Sequence, residues 1–378
     1  MPLATTISSI RNLFQDQIFP AVEDRTGPLT EKHQRLVSVL DWVKVETFFL
    51  DCPVTAGRPM ADQAALASAF IAKSIWNLPT TRHLIDRIHA DPALRRLCGW
   101  SRRSDVPSES TFSRAFARFA KTALPERMHG ALIRSTLGRE DVIVGHLSRD
   151  STAIEAREKA ARKDKKKDKK KQGKKNGKAA KDESERRLPR QLKMTLEAML
   201  KELPKKCDVG SKRNARGFFF SWKGYKLHID GADGGIPVSC LLTSASLHDS
   251  QAAIPLAALS HRRVTSLYDL MDSAYDADEI RTYSESLDHV PIIDPNPRRD
   301  RERKESLLAE ARAQRAAGQI DARAVRYRER SNVERINGRL KDEFGGRHVR
   351  VRGPAKVACH LMWGILALTV DQLFRLGP

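Results

Sequence analysis

The 378-residue chain has only five cysteines, at positions 52, 98, 207, 240 and 359. They are scattered, odd in number and without a close-spaced pair, so neither a disulfide framework nor a zinc site is indicated, and no histidine cluster competes. Membrane-length apolar runs are also lacking. The longest, Leu361 to Val370, is too short to cross a bilayer and better suits a closing helix packed on a sheet, so no membrane partner is expected. Met1-Pro2-Leu3-Ala4 does not begin a basic segment followed by an apolar core, so no secretory signal is expected and a cytoplasmic location follows. A neutral charge balance is missing too: the net charge is +21. The usual physical meaning of such an excess is binding to a polyanion. Between Arg157 and Lys193 stand 18 Lys and Arg against 6 Asp and Glu. That stretch is too polar to form a core, and a disordered or loosely helical Lys-rich insertion is expected at about 156–210.

The most informative stretch runs from Tyr327 to Lys341. Read as one helix turning about 100° per residue, it places Tyr327, Arg330, Glu334 and Lys341 within a sector of about 60° on one face. Val333, Ile336 and Leu340 fall on the opposite face, so the helix has an apolar side to bury and a reactive side to present. Of its acids, Glu329, Glu334 and Glu343, Glu334 alone lies in that row. A carboxylate among phosphate-binding side chains suggests chemistry on nucleic acid, although a segment this rich in Arg and Glu is more often an ordinary salt-bridged helix.

Two upstream segments change that balance. Val142 to Arg149 is a short β-branched run that reads as a strand delivering Asp150 at its end, and Leu267 to Met271 reads as a buried strand ending on Asp272. One strand-end Asp is usually a cap or turn former. Three acids in three such contexts, ending in a basic helix, are harder to dismiss.

With these residues the chain resembles the DDE transposases of bacterial insertion sequences, in the group comprising insertion-sequence families four and five. The mark of that group, Tyr-x2-Arg-x3-Glu-x6-Lys, is present in full at Tyr327, Arg330, Glu334 and Lys341. Arg149-Asp150-Ser151-Thr152 is similar to the family's first acid, and Met271-Asp272-Ser273-Ala274-Tyr275-Asp276 to its second. Gly57-Arg58-Pro59, Leu97 to Trp100, and Val106 to Arg114 resemble the helical amino-terminal domain of many such enzymes.

The resemblance implies an α/β fold: an RNase H-like catalytic domain, a mixed sheet flanked by helices, at 141–378, preceded by an all-helical DNA-binding or assembly domain at 1–140. The residues fit this independently. Trp222 to Ile229 alternates as a strand, Asp233-Gly234-Gly235 is a turn, and Ile236 to Thr243 supplies the returning strand. Asp249-Ser250 caps a short helix, and a helix near 278–287 precedes a last strand at 290–293. The 62 residues from Asp272 to Glu334 leave no room for a large β-rich insertion, and Arg298 to Arg326 reads as helix and linker.

What the resemblance implies for chemistry is strand cleavage by water and strand transfer by a 3′-hydroxyl, with two Mg2+ ions roughly 3.5–4 Å apart and Mn2+ able to substitute. Hard cations want hard oxygens, which is why acids occupy the three positions. Asp150 would bridge both ions, with Asp272 and Glu334 each holding one side. Arg330 and Lys341 would grip phosphates beside the scissile bond, and Tyr327 would position or stack on the end of the transferred strand. The implied partners are double-stranded DNA, at the element's terminal inverted repeats and at the target, and a second copy of the chain in a synaptic homodimer; the implied location is at the bacterial nucleoid. Two other readings stay open: an inactive or domesticated DNA-binding derivative, and a metal-dependent nuclease without transfer activity.

Sequence-specific contacts are expected in the amino-terminal third. Phe112, Phe116 and Phe119 recur as a core stripe on one helix, and Arg114, Arg118 and Lys121 on its other side could lie along DNA. Trp222 and Trp100 could stack on a base, but core roles suit them better.

Overall fold

The computed structural model describes residues 3–50, 60–161, 186–213, 217–296, 301–319 and 321–376. Cys52, the Gly57-Arg58-Pro59 motif and residues 162–185 of the Lys-rich run lie outside the described residues. Helices α1 (Leu3–Leu13), α2 (Phe19–Thr26), α3 (Glu31–Val43), α4 (Gln63–Ile75), α5 (Thr81–Ala90), α6 (Pro92–Leu97), α7 (Glu109–Lys121) and α8 (Leu124–Thr136) precede the first strand. Local chemistry starts them. Asp62 caps α4 by accepting from the Ala64 and Ala65 amides at 2.9 and 3.1 Å. Phe112, Phe116 and Phe119 of α7 are buried as a stripe against Phe70 of α4, while Arg114, Arg118 and Lys121 are exposed.

The sheet comprises β1 (Ile143–Glu155), β2 (Asp208–Arg213), β3 (Phe219–Ala232), β4 (Ile236–Ser244), β5 (Thr265–Met271) and β6 (Val290–Ile293). Its order is β2-β3-β1-β5-β6, with β4 also on β3. β1 runs antiparallel to β3 and parallel to β5, and β5 runs parallel to β6. With helices on both faces, this is the mixed α/β arrangement of an RNase H-like fold.

Between β1 and β2 lie α9 (Arg187–Gln191) and α10 (Leu196–Glu202), then α11 (Ala253–His261) and α12 (Asp278–Glu285) flank β5. The expectation of a disordered insertion at 156–210 needs correction for its described part. Leu196 and Met199 of α10 are buried with Ala253, Ile254 and Met271, and strand β2 begins at Asp208. These apolar side chains supply the burial that the Lys-rich run before them lacks.

The chain closes with α13 (Arg301–Ala316), α14 (Ala322–Arg328), α15 (Ser331–Asp342) and α16 (Pro354–Leu376). Helix α15 packs on β1 and β3 through Val333, Ile336 and Leu340, the row expected to be buried. Its approach is close: a Cβ on Gly231 of β3 would lie 2.4 Å from Ile336 Cδ1. Helix α16 corrects a second expectation. With 23 residues it is long and apolar enough to cross a membrane by length and composition, yet 83% of its apolar window is buried inside the protein. It packs against α3, α4, α7 and α8 as well as β4. Trp363 stacks on Phe70 at 6.4 Å between ring centroids and meets Phe119 edge-on, so both ends of the chain share one core.

Three histidines in this interior are held neutral. Burial lowers His129 and His360 to about 3 and His228 to about 4. The first two meet the carbonyls of Pro237 and Gly345, and His228 meets the Thr243 hydroxyl. Each folded pKa lies below that of the unfolded chain, which therefore takes up more protons between about pH 6.5 and the depressed values. Stability is full above pH 6.5 and is lost as pH falls, by on the order of 1 kcal/mol per histidine at pH 5.5. Chemical denaturation at pH 7.5 and 5.5 should show that loss, and His129→Gln with His360→Gln should flatten it; an unchanged slope contradicts the assignment.

Candidate active site

Alternation along β1 decides what each face receives. Ser148 and Asp150 point towards α15 and the residues leading into it: the Ser148 hydroxyl donates to the Glu329 carbonyl at 3.0 Å, and Asn337 Nδ2 donates to Asp150 Oδ2 at 3.3 Å. Arg149 goes to the opposite face. Its Nε and Nη2 donate to the two oxygens of Asp230 at 2.8 and 2.9 Å, and Nη2 lies 3.9 Å from Asp269. Ser260 donates to Asp230 at 2.6 Å and Ser284 to Asp269 at 2.7 Å, completing a network whose charged members are at most 1% exposed.

Asp150 is not at the end of its strand, as expected, but inside it, because β3 continues to pair with β1 through Glu155. The strand that stops is β5. Its last pair with β1 is Met271 with Arg149, so Asp272 emerges beside Asp150 at the spacing of neighbouring parallel strands. Asp272 Oδ1 accepts from the Ala274 amide at 2.9 Å, capping a short turn. Burial pushes Asp150 up to about 6; Lys212 and the Ser151 amide oppose the shift, while Asp272 and Asp249 add to it. A third carboxylate thus belongs to this neighbourhood. Asp249 is paired with Lys226 at 2.8 Å.

The helix carrying the remaining residues is not continuous. Helix α14 ends at Arg328 and α15 begins at Ser331, with tight bonds from the Glu329 amide to the Arg326 carbonyl and from the Arg330 amide to the Tyr327 carbonyl. The Ser148 hydroxyl takes the Glu329 carbonyl, which anchors this joint on the sheet. Despite the break, Tyr327, Arg330 and Glu334 remain together. Arg330 lies 5.8 Å from the Tyr327 ring and its Nη2 donates to Glu334 Oε1 at 2.6 Å. Burial raises the Tyr327 hydroxyl to about 12; Arg330 opposes this, and Asp294, Asp272 and Glu334 add to it. The Arg330 guanidinium also senses Asp150.

Lys341 is half-buried and its ammonium is lowered by burial and by Arg347, with Asp342, Glu155 and Asp150 pulling the other way. It lines a cleft of 770 Å³ together with Ser151, Thr152, Lys212, Phe220 and Lys226. Trp222 is 5% exposed and stacks on Phe220, so it is a wall of this cleft rather than a free platform. Trp100 packs in the core on Phe112. Arg114 and Arg118 stay on α7, bonded to Thr111 and Gln63, and α7 packs on α4, α5, α8 and α16.

A hard divalent cation suits the donors here. Two carboxylates whose charges oppose one another and a third beside them offer hard oxygens. Glu334, more than half exposed, is held by Arg330 instead, and among the described residues no three acidic, His or Cys side chains stand at metal-ligating spacing. Sequence reasoning passes over Asn337, Asp249, Lys212 and the Arg149 network. The signal for Asn337 is a polar residue in the otherwise apolar row of α15; Asp249 and Lys212 give none, since tertiary structure alone brings them near Asp150.

Residues 198–370 match the family described as Transposase DDE domain, and residues 22–118 match a second, Transposase domain (DUF772). No curated protein and no solved structure matches the chain. The chain belongs to the DDE transposases of insertion elements, enzymes whose general activity is metal-dependent DNA strand cleavage and strand transfer. Asp272, Tyr327, Arg330, Glu334 and Lys341 fall within the DDE match, and Asp150 lies between the two matched stretches.

The Arg149 network yields a stability prediction. Asp230→Ala leaves a guanidinium buried with only Asp269 near it, and removing one partner of a buried pair costs roughly 3–5 kcal/mol. Asp230→Asn, which keeps an acceptor oxygen, should cost less. Urea denaturation of the two variants checks the order, and equal, small losses would contradict it.

Proposed function

We propose that Asp150, Asp272 and Glu334 are the three acids of the transposition reaction and hold two Mg2+ ions, with Mn2+ able to substitute. The observation that carries the reading is the parallel pairing of β1 with β5, which delivers Asp272 beside Asp150, with α15 laid across β1 so that Glu334 follows one turn before Asn337. When bound, the ions supply an activated oxygen nucleophile and stabilise the leaving oxygen.

The side chains set up the substrate. Arg330 and Lys341 bind phosphates on either side of the acids, and Tyr327 supports the end of the transferred strand. The strand runs through the cleft of Lys212, Phe220 and Lys341, where cations meet its phosphates and the Phe220 ring meets a base. In the DNA-free chain Arg330 holds Glu334 at 2.6 Å. A phosphate is the competing anion for that guanidinium, so docking of the DNA backbone releases Glu334 towards the two aspartates. The region 1–140 serves DNA binding and assembly, with Arg114 and Arg118 of α7 on the DNA, and 141–378 carries the chemistry. The DNA partners are the terminal inverted repeats and the target, and two copies of the chain pair the two ends in the synaptic complex. The reaction takes place in the cytoplasm, on the bacterial nucleoid.

Purified protein incubated with labelled element-end duplex and Mg2+ tests this. Wild type should nick and join, while Asp150→Asn, Asp272→Ala and Glu334→Ala should lose both activities and still bind DNA. Nicking without joining would favour a nuclease, and tight binding without cleavage a DNA-binding derivative. A separate outcome concerns Lys341→Ala. It should weaken DNA binding across sequences and lower the salt slope by about one phosphate contact, roughly 0.9 in log K against log salt; an unchanged slope removes Lys341 from the interface.

A further inference from the structure

The first acid has a partner that no motif predicts. Asn337 lies on α15 one turn beyond Glu334 and is 8% exposed. Its Nδ2 donates to Asp150 Oδ2 at 3.3 Å, and its Oδ1, also buried, has no hydrogen-bond partner. The orientation of this amide follows from chemistry: an ionised carboxylate only accepts, so the NH2 group rather than the carbonyl must meet Asp150 Oδ2. A desolvated carbonyl without a donor is costly, and evolution has cheaper ways to fill that position with an apolar side chain. The neighbours offer such a choice, since Ile336 and Leu340 beside it are buried apolar residues of the same helix.

We propose that Asn337 is a positioning residue for the reaction: its amide fixes the carboxylate rotamer of Asp150, and its Oδ1 accepts a hydrogen bond from a water carried by a divalent cation held at Asp150. The inference rests on the metal-holding role given to Asp150 above. A side chain that both orients a ligating carboxylate and anchors a hydrated ion contributes through the ligand rather than by touching the ion, and losing such a contact typically costs 10–100-fold in metal affinity. The donor leaves Asp150 Oδ1 for the ion, which is how one carboxylate serves as a bond acceptor and a ligand at once. It also couples α15 to β1 at the level of the acids, so the turn that brings Glu334 into range is the same turn that aligns Asp150.

Mn2+ binding to the full-length protein, read as loss of the free-ion electron paramagnetic resonance signal, separates the alternatives without relying on turnover. Asn337→Leu removes both polar atoms while keeping the number and branching of the side-chain heavy atoms. It should weaken Mn2+ binding 10–100-fold, lower kcat for end cleavage to a similar degree, leave KM for DNA within twofold, and leave the thermal midpoint unchanged or raised because the unbonded carbonyl is gone. Asn337→Ala should reproduce the metal defect. Mn2+ affinity within twofold of wild type in both variants overturns the proposal, as does loss of the fold in both, which would mark Asn337 as a structural residue. Asp150→Asn in the same titration tests the parent reading: if it too binds Mn2+ like wild type, the metal role of Asp150 fails, whereas a defect there with a normal Asn337→Leu sinks the role of Asn337 alone.

Discussion

A guanidinium sealed beneath the acids sets the register of this sheet. Arg149 on β1 reaches Asp230 on β3 and Asp269 on β5, so one side chain ties three neighbouring strands at the level where β5 ends. A slip of one residue along β1 would turn Arg149 towards the cleft and Asp150 towards α11 and α12. It would also strand two carboxylates in a region almost without solvent access, a loss of several kcal/mol that far exceeds any ladder bond gained. The pair is weak support for stability in itself, since its Coulomb gain is offset by desolvation. Its physical consequence is uniqueness: of the registers open to these strands, this one brings the guanidinium to both buried carboxylates.

That constraint explains how acids can gather in a chain of net charge +21. Asp150 and Asp272 are close because the backbone puts them there; burial raises Asp150 to about 6, and Asp272 adds to the rise. The Lys212 ammonium offsets part of that rise. Glu334 differs because its helix is separate. Helix α15 packs on β1 and β3, while α14 is fixed elsewhere by the Arg326 guanidinium over Tyr268 and by Arg323 on the Ile293 carbonyl. Tyr327 and Glu334 stand on either side of the joint and are linked through Arg330.

Much of this architecture was legible in the residues. The alternation of Tyr225, Leu227 and Ile229, the Asp233-Gly234-Gly235 turn and the returning run to Thr243 correspond to β3, its turn and β4, because period-two patterning and a glycine turn are local signals. The buried row Val333, Ile336 and Leu340 was legible for the same reason. Three features were not. Asp150 inside a 13-residue strand cannot be read from its neighbours, since what ends beside it is β5. The joint at Glu329 and Arg330 keeps helical backbone angles and shifts only its amide bonds, to the carbonyls three residues back, so no residue type marks it. Arg149 looked like part of a motif around the first acid, yet its partners are 81 and 120 residues away in sequence.

The same long-range logic bears on how the amino-terminal helices relate to the sheet. Phe70, Phe112 and Phe119 close on Trp363 of α16, which follows α15 by a short connection and packs on β4. Cutting the chain near residue 140 would remove α16 and bare that aromatic cluster, so a fragment of the helical region would be judged on a core it no longer has. Within the intact chain the consequence is mechanical. Whatever the exposed face of α7 holds, it holds at a fixed position relative to β4 and α15, because closely packed aromatic rings do not slide continuously past one another. Arg114 and Arg118 are therefore best probed in the whole protein, where the core behind them is complete and a change in DNA affinity reports on their charge rather than on unfolding.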